Sequence, residues 1–276
     1  MPSDMDWKAL LLLLPIVWAL LAWAANRSAF FPMRYPEGNW LETKSLGVED
    51  AWLRSGRHRI HAWWKPLDPA PAAVLFLHGN AGNVTHRARH VLAWERAGAA
   101  VLVIDYRGYG RSEGRPSEAG LYEDALAGYR LLRGRGFPPE RILVHGESLG
   151  TAAAAHVASV EPVGGVILEA PFPSARAVAR TVLPVLGPLL VWGFDVRSRL
   201  ARIQAPVLVI HGSQDEVIPF RLGRAVFDAA REPKQFWAID GAGHNDIPET
   251  AGEEYPARLR AFLEQALQSR NVSPAK

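Results

Sequence analysis

From residue 45 onwards, short apolar runs bounded by turn residues alternate with stretches of helical spacing, and this alternation limits the chain to few architectures. The runs are Ala73–Leu77, Ala100–Ile104, Arg141–Val144, Gly165–Leu168, Pro206–Ile210 and Gln235–Ile239. Between and after them lie His86–Ala97, Ser117–Arg133, Leu149–Val160, Arg221–Ala230 and Gly252–Leu267, with apolar residues three or four apart. Strands that are apolar throughout, rather than alternating, are buried on both faces, and helices between them supply the cover. The expectation is an α/β fold with a mostly parallel central sheet and helices on both faces. Two earlier segments, Glu42–Arg54 and His58–Lys65, read as an antiparallel start to that sheet. In such sheets ligands sit beyond the carboxyl ends of the strands.

Length and composition agree with one α/β unit of residues 45–270, an N-terminal appendage and a short tail, 271–276. The chain has 276 residues, 49% of them hydrophobic, enough for a sizeable core. Its net charge is only +3, with arginines scattered among acids, so nothing marks a nucleic-acid surface. It has no cysteine, which excludes disulfides, thiolate metal sites and a thiol nucleophile.

The appendage is of another character. Ala9 to Ala25, ALLLLLPIVWALLAWAA, carries no charge and has Lys8 and Arg27 at its ends. Its length is at the low end for a bilayer span, and Trp7, Trp18 and Trp23 suit interfacial positions. Residues 1–29 are therefore expected to be a single-pass membrane anchor. The alternatives are a cleaved signal peptide, for which Ala22-Trp23-Ala24 would be the site, and a buried core helix. Lys8 against Arg27, Arg34 and Lys44 gives a weak bias towards a cytoplasmic catalytic domain. Residues 30–44, rich in proline and aromatics, form a connector that lies at the interface or packs on the domain. Phe172–Leu200, with TVLPVLGPLLVWGFD broken by Pro184, Gly187 and Pro188, interrupts the alternation. It reads as a short cap over the active end of the sheet or as an ordinary amphipathic helix.

The apolar RILV runs into H-G-E-S-L-G, and the helix-compatible TAAAAHVASV follows. Strand, sharp turn and helix are the setting in which a serine is forced into a strained backbone and presented at the end of a sheet. Gly146 and Gly150 make room, and Ser148 is the candidate nucleophile. The adjoining helix N-terminus favours a developing oxyanion. The stretch lacks the Lys-Ser/Thr of a P-loop and the spacing of a dinucleotide fingerprint.

A serine hydroxyl needs a base to take its proton. Of nine histidines, His244 in D-G-A-G-H-N-D follows the serine in a loop after the last expected strand. Asp215, in H-G-S-Q-D-E-V-I-P, lies between them and would orient the base, with Glu216 as runner-up. Asp240 and Asp246 read as turn formers. His145 and His211 end strands and are expected to pack or hydrogen-bond there. One oxyanion amide is expected from Leu149 and the second from Asn80 in H-G-N-A-G-N, where glycines allow close approach. His78 and Asn83 would hold that loop. In D-Y-R-G-Y-G-R-S-E-G, Asp105 is expected to accept from nearby amides in a tight turn, and Tyr109 is a candidate for lining the pocket.

Taken together, H-G-N-A-G-N, D-Y-R-G-Y-G-x-S-E-G, G-E-S-L-G, G-x-x-D-x-x-I-P and G-x-G-H resemble the α/β-hydrolase superfamily, most of all its small membrane-tethered α/β-hydrolase-domain branch. The resemblance covers most of the chain from Ser45. It implies Ser148, Asp215 and His244 as triad, Asn80 and Leu149 as oxyanion amides, and neither metal nor organic cofactor. The branch includes lipid and thioester hydrolases, with peptidases among its relatives. The expectation is a membrane-anchored serine hydrolase acting on an acyl ester, thioester or lipid-like substrate. A peptidase with the same triad and a catalytically silent binding protein are the competing readings.

Overall fold

The computed structural model describes residues 7–27, 29–41 and 45–268. In chain order the elements are α1 (Trp7–Arg27), β1 (Phe31–Pro32), β2 (Glu49–Ser55), β3 (His58–Lys65), β4 (Ala73–Leu77), β5 (Ala81–Gly82), α2 (Ala88–Ala97), β6 (Ala100–Ile104), α3 (Glu118–Gly134) and β7 (Ile142–Glu147). There follow α4 (Gly150–Val160), β8 (Gly165–Glu169), α5 (Ala175–Val182), α6 (Gly187–Leu190), α7 (Val196–Leu200), β9 (Val207–Gly212), α8 (Phe220–Ala229), β10 (Lys234–Ile239), α9 (Ile247–Ala251) and α10 (Glu254–Gln268).

Eight strands make one sheet in the order β10-β9-β8-β7-β4-β6-β3-β2. The six strands from β10 to β6 pair in parallel, while β3 joins β6 and β2 joins β3 antiparallel. This is the expected arrangement. Every residue of β4, β6 and β8 is buried, as continuous apolar strands require. Alternation within β4 divides its side chains between two cores. Ala73, Leu75 and Leu77 meet α3 and α4, whereas Val74 and Phe76 meet α2 and α10. Close packing on the first face uses small side chains, Ala152 to Ala155 of α4 being fully buried.

Two of the boundaries that differ from expectation have a local cause. β2 starts at Glu49 because Gly47, at φ 61°, turns the chain just before it; residues 42–44 lie outside the described residues. α2 starts at Ala88 because Val84–Arg87 is a 3₁₀ turn, capped by Asn83, whose side chain accepts from Thr85 N at 3.0 Å.

The N-terminal expectation is corrected. Ala9–Ala25 lies within a helix of 21 residues interrupted by Pro15, but no helix among the described residues is long and apolar enough to cross a membrane. That overturns the single-pass anchor and the membrane localisation, and leaves the membrane as a partner through this helix without support. Trp18 and Asn26 of α1 hydrogen-bond to protein. Trp18 Nε1 donates to Leu189 O at 3.2 Å, Asn26 Nδ2 to Leu190 O at 2.8 Å, and Ala22 is fully buried. Residues 1–6 of the expected anchor and 271–276 of the expected tail lie outside the described residues. The connector packs on the α/β unit: β1 pairs in parallel with β5, and Arg34 bridges Gly110.

Candidate functional site

Ser148 occupies the turn between β7 and α4 with φ 50°, one of three non-glycine residues with positive φ among those described. A side chain rarely adopts that conformation, and it persists only where the surroundings impose it. They do so through main chain. A Cβ on Gly146 would stand 2.3 Å from Gly150 O, and one on Gly150 would stand 1.9 Å from Leu77 O. Both positions require glycine because the opposing atoms cannot move aside. Ser148 N donates to Glu169 O at 2.8 Å, which ties the turn to β8.

His244 lies in the loop after β10, 96 positions further along the chain, with Nε2 3.0 Å from Ser148 Oγ. Its Nδ1 is 2.8 Å from Asp215 Oδ2. Asp215 follows β9, and its Oδ1 accepts from Val217 N at 2.9 Å and Ile218 N at 2.7 Å. These amides hold the carboxylate so that Oδ2 faces the imidazole. With its proton on Nδ1, His244 keeps Nε2 as an acceptor for the serine hydroxyl. Burial disfavours charge on both groups, but mutual interaction prevails. His211 and His244 hold the Asp215 carboxyl far below its ordinary value, and Asp215 raises His244 above 6.5.

The other candidates take distinct places. Glu216 Oε2 accepts from His244 N at 3.3 Å, contacting the backbone of the histidine rather than its Nδ1. Asp246 accepts from Gly243 N and Asp240 from Ser213 Oγ, both as turn formers. Asn80 and Leu149 line one cavity with Ser148 and His244. Leu149 stands at the N-terminus of α4, where the first amides lack intrahelical acceptors. His78 Nδ1 meets Gly79 O at 2.7 Å, and Asn83 Nδ2 donates to Met33 O and Glu37 O, so both brace the loop after β4. Asp105 Oδ1 accepts from Val84 N at 2.9 Å. Tyr109 is fully buried and does not line the cavity; its hydroxyl donates to Asn80 Oδ1 at 3.0 Å. Burial raises that phenol, so it remains a donor.

The cavity measures about 720 Å³. Its apolar wall comes from Phe172, Val178, Val191 and Phe194 of the 172–200 segment, together with Val217 and Ile218. That segment forms α5, α6 and α7; Ala175, Val178 and Ala179 of α5 line the cavity, while Val196 and Leu200 of α7 are buried in the core with α4.

Two residues near the serine were not singled out by sequence. Glu147, directly before it, accepts from Gly79 N at 3.2 Å and pairs with Arg87 at 2.9 Å. Arg87 also donates from Nη2 to Ala81 O at 2.8 Å. His211, expected to pack or hydrogen-bond at its strand end, has Nε2 3.3 Å from Asp215 Oδ2, the oxygen that also faces His244 Nδ1, and 2.9 Å from Ile218 O. The available signal for the first two was the acid inside G-E-S-L-G.

The chain belongs to the α/β-hydrolase superfamily and is a hydrolase of the serine class. The model of the serine aminopeptidase S33 family matches residues 68–194. Among its relatives is an uncharacterized protein of Mycobacterium tuberculosis, 38% identical over 250 residues, which are 88% of this chain and 89% of that one. Another is alpha/beta hydrolase domain-containing protein 17B of Xenopus tropicalis, 36% identical over 80% of this chain and 76% of its own. The fold is shared with an esterase of Pyrococcus furiosus, with a TM-score of 0.70 at 21% identity over 85% of this chain and 98% of that one.

Proposed function

We propose that this chain hydrolyses carboxylic ester or thioester bonds through an acyl-enzyme. The observation that carries the reading is the continuous relay from Ser148 Oγ through His244 to Asp215, at 3.0 and 2.8 Å, opening on an apolar cavity. Ser148 Oγ attacks the carbonyl carbon while His244 Nε2 takes its proton. The oxyanion is received by the amides of Leu149 and Asn80. Collapse breaks the bond to the leaving oxygen or sulfur, which His244 protonates. Water, deprotonated by the same histidine, attacks the acyl-serine, releases the carboxylic acid and restores Ser148.

The S33 model raises peptide cleavage as a second reading. An aminopeptidase needs an anion for the free amino terminus. Among the described lining residues the sole carboxylate is Glu147, and it is already paired with Arg87. The apolar wall fits an acyl chain better. The test is labelling by a fluorophosphonate probe, wild type against Ser148→Ala, followed by turnover of acyl esters, acyl thioesters and aminoacyl amides. Labelling of wild type alone with ester or thioester turnover supports the proposal. Turnover of aminoacyl amides alone selects the peptidase, and an unlabelled, folded wild type overturns both.

A further inference from the structure

The end of the N-terminal appendage and the start of the connector, expected to lie at the interface or pack on the domain, contact the loop assigned to the oxyanion at several points. Asn80 Nδ2 donates to Ala29 O at 2.6 Å, and Asn80 Oδ1 accepts from Phe31 N at 3.2 Å and from the Tyr109 hydroxyl. One residue on, β1 pairs with β5 in the register Phe31↔Ala81 and Pro32↔Gly82, and Met33 N donates to Gly82 O at 3.2 Å. The strap is fixed at both ends. Behind it, Gly110 N donates to Met33 O and Tyr35 N to Gly110 O, each at 2.9 Å. Ahead of it, Asn26 holds Leu190 O and accepts from Trp192 N at 3.3 Å, both in the 172–200 segment.

The same segment also faces the substrate space. Ala25, Ala29, Phe31 and Met33 line the cavity that contains Ser148, with Phe31 65% exposed at its mouth. Two of the three hydrogen bonds of the Asn80 side chain therefore go to this segment, on the residue whose own backbone N–H is assigned to the oxyanion.

We infer that Ala25, Ala29, Phe31 and Met33 are a working part of the active site: through the Asn80 side chain the backbone of Ala29 and Phe31 positions the oxyanion loop, and the four apolar side chains form one wall of the acyl-binding cavity. The inference rests on the acyl-hydrolase reading above and adds a determinant of turnover and of chain-length selectivity. Asn80 is a positioning residue through its side chain. A donor amide displaced by a fraction of an ångström stabilises the transition state less, while ground-state binding is little altered. Loss of lining area, by contrast, weakens only substrates long enough to reach it.

The test uses the full chain with 4-nitrophenyl esters from acetate to dodecanoate. Asn80→Asp keeps the shape and the acceptors but sets a carboxylate oxygen against Ala29 O. Its kcat is expected to fall about tenfold or more at every chain length with KM within about twofold. Tyr109→Phe removes one bond to the same side chain and is expected to lower kcat by roughly three- to tenfold; it covers the case in which Asn80→Asp does not fold. Phe31→Ala is expected to lower the dodecanoate-to-acetate ratio of kcat/KM by about fivefold. Folded variants whose kcat and chain-length ratio both stay within about twofold of wild type overturn the inference while the hydrolase reading stands. A wild type that neither turns over any ester nor takes the fluorophosphonate label overturns that reading, and the inference with it.

Discussion

Arg87 Nε stands 2.9 Å from Glu147 Oε2, and each side chain is 12% exposed. The pair joins the residue before Ser148 to the loop after β4, because Arg87 also holds Ala81 O and Glu147 also accepts from Gly79 N. Burial opposes ionisation of Glu147, yet the guanidinium keeps its carboxyl below the usual value.

Glu147→Gln leaves an acceptor for Gly79 N but strands a largely buried cation. Breaking such a pair from one side costs more than removing it whole. The expected loss is about 2 kcal/mol, a fall in Tm of roughly 4–8 °C. Adding Arg87→Met should recover part of it. Thermal melts of the two single variants and the double variant measure the coupling, and strictly additive losses would refute it.

The positive φ of Ser148 predicts an asymmetry between two inactive variants. Both Ser148→Ala and Ser148→Gly remove the hydroxyl, and hydrolysis should fall by at least about 10⁴-fold in each. Only glycine relieves the backbone, by about 1 kcal/mol. Ser148→Gly should therefore melt roughly 2–4 °C above Ser148→Ala; equal melting temperatures would show that the turn is unstrained.

Burial lowers the basicity of His244, but Asp215 at 2.8 Å outweighs it and raises the group above 6.5. In the proposed mechanism His244 accepts a proton only when neutral, so the acid limb of kcat/KM should have its midpoint above pH 6.5. Asp215→Asn removes the cause, and the midpoint should move down while kcat falls by about 10³–10⁴-fold. The linkage to stability runs in opposite senses. His244, raised, contributes stability that is full below its ordinary value and lost as pH climbs through the folded one. Asp215, lowered, contributes stability present above its ordinary 3.8 and lost as pH falls through its folded value. His244→Gln should thus lower Tm more at about pH 5 than at about pH 9.

Gly150→Ala would place a methyl 1.9 Å from Leu77 O, a strand carbonyl with no freedom to retreat. We expect a loss of about 3 kcal/mol or more, read as little folded protein or a Tm lower by roughly 6 °C or more. Gly134→Ala is the control, since nothing lies within 4 Å of its added Cβ.

The parts of this molecule legible in sequence are those in which one local pattern settles the outcome. Ala73–Leu77 and Ala100–Ile104 coincide with β4 and β6 because apolar runs cut off by Gly, Asn or Asp leave no other choice. Ser148 was legible because strand, glycine, serine and helix are adjacent in the chain. Asp215 and His244 needed only an order along the chain. Arg87 was not legible, since its partner lies 60 positions away and its neighbours, His86 and Arg89, look like an ordinary basic stretch. The pairing of Phe31 with Ala81 was hidden for the same reason: two-residue strands have no period to detect. Ala9–Ala25 misled because apolar composition fits a bilayer and a protein surface alike, and Trp18 and Asn26 reveal their partners only in three dimensions.

The turn that carries Ser148 is held by carbonyl oxygens of Leu77 and Gly150 and by Glu169 O, whereas the cavity beside it is shaped by side chains such as Val178, Val191 and Val217. Main-chain atoms are the same whatever residue bears them. Substitutions in the cavity wall can therefore accumulate and redirect which molecules fit without disturbing the turn that presents Ser148, so descendants of one ancestral hydrolase can diverge in diet while sharing one scaffold.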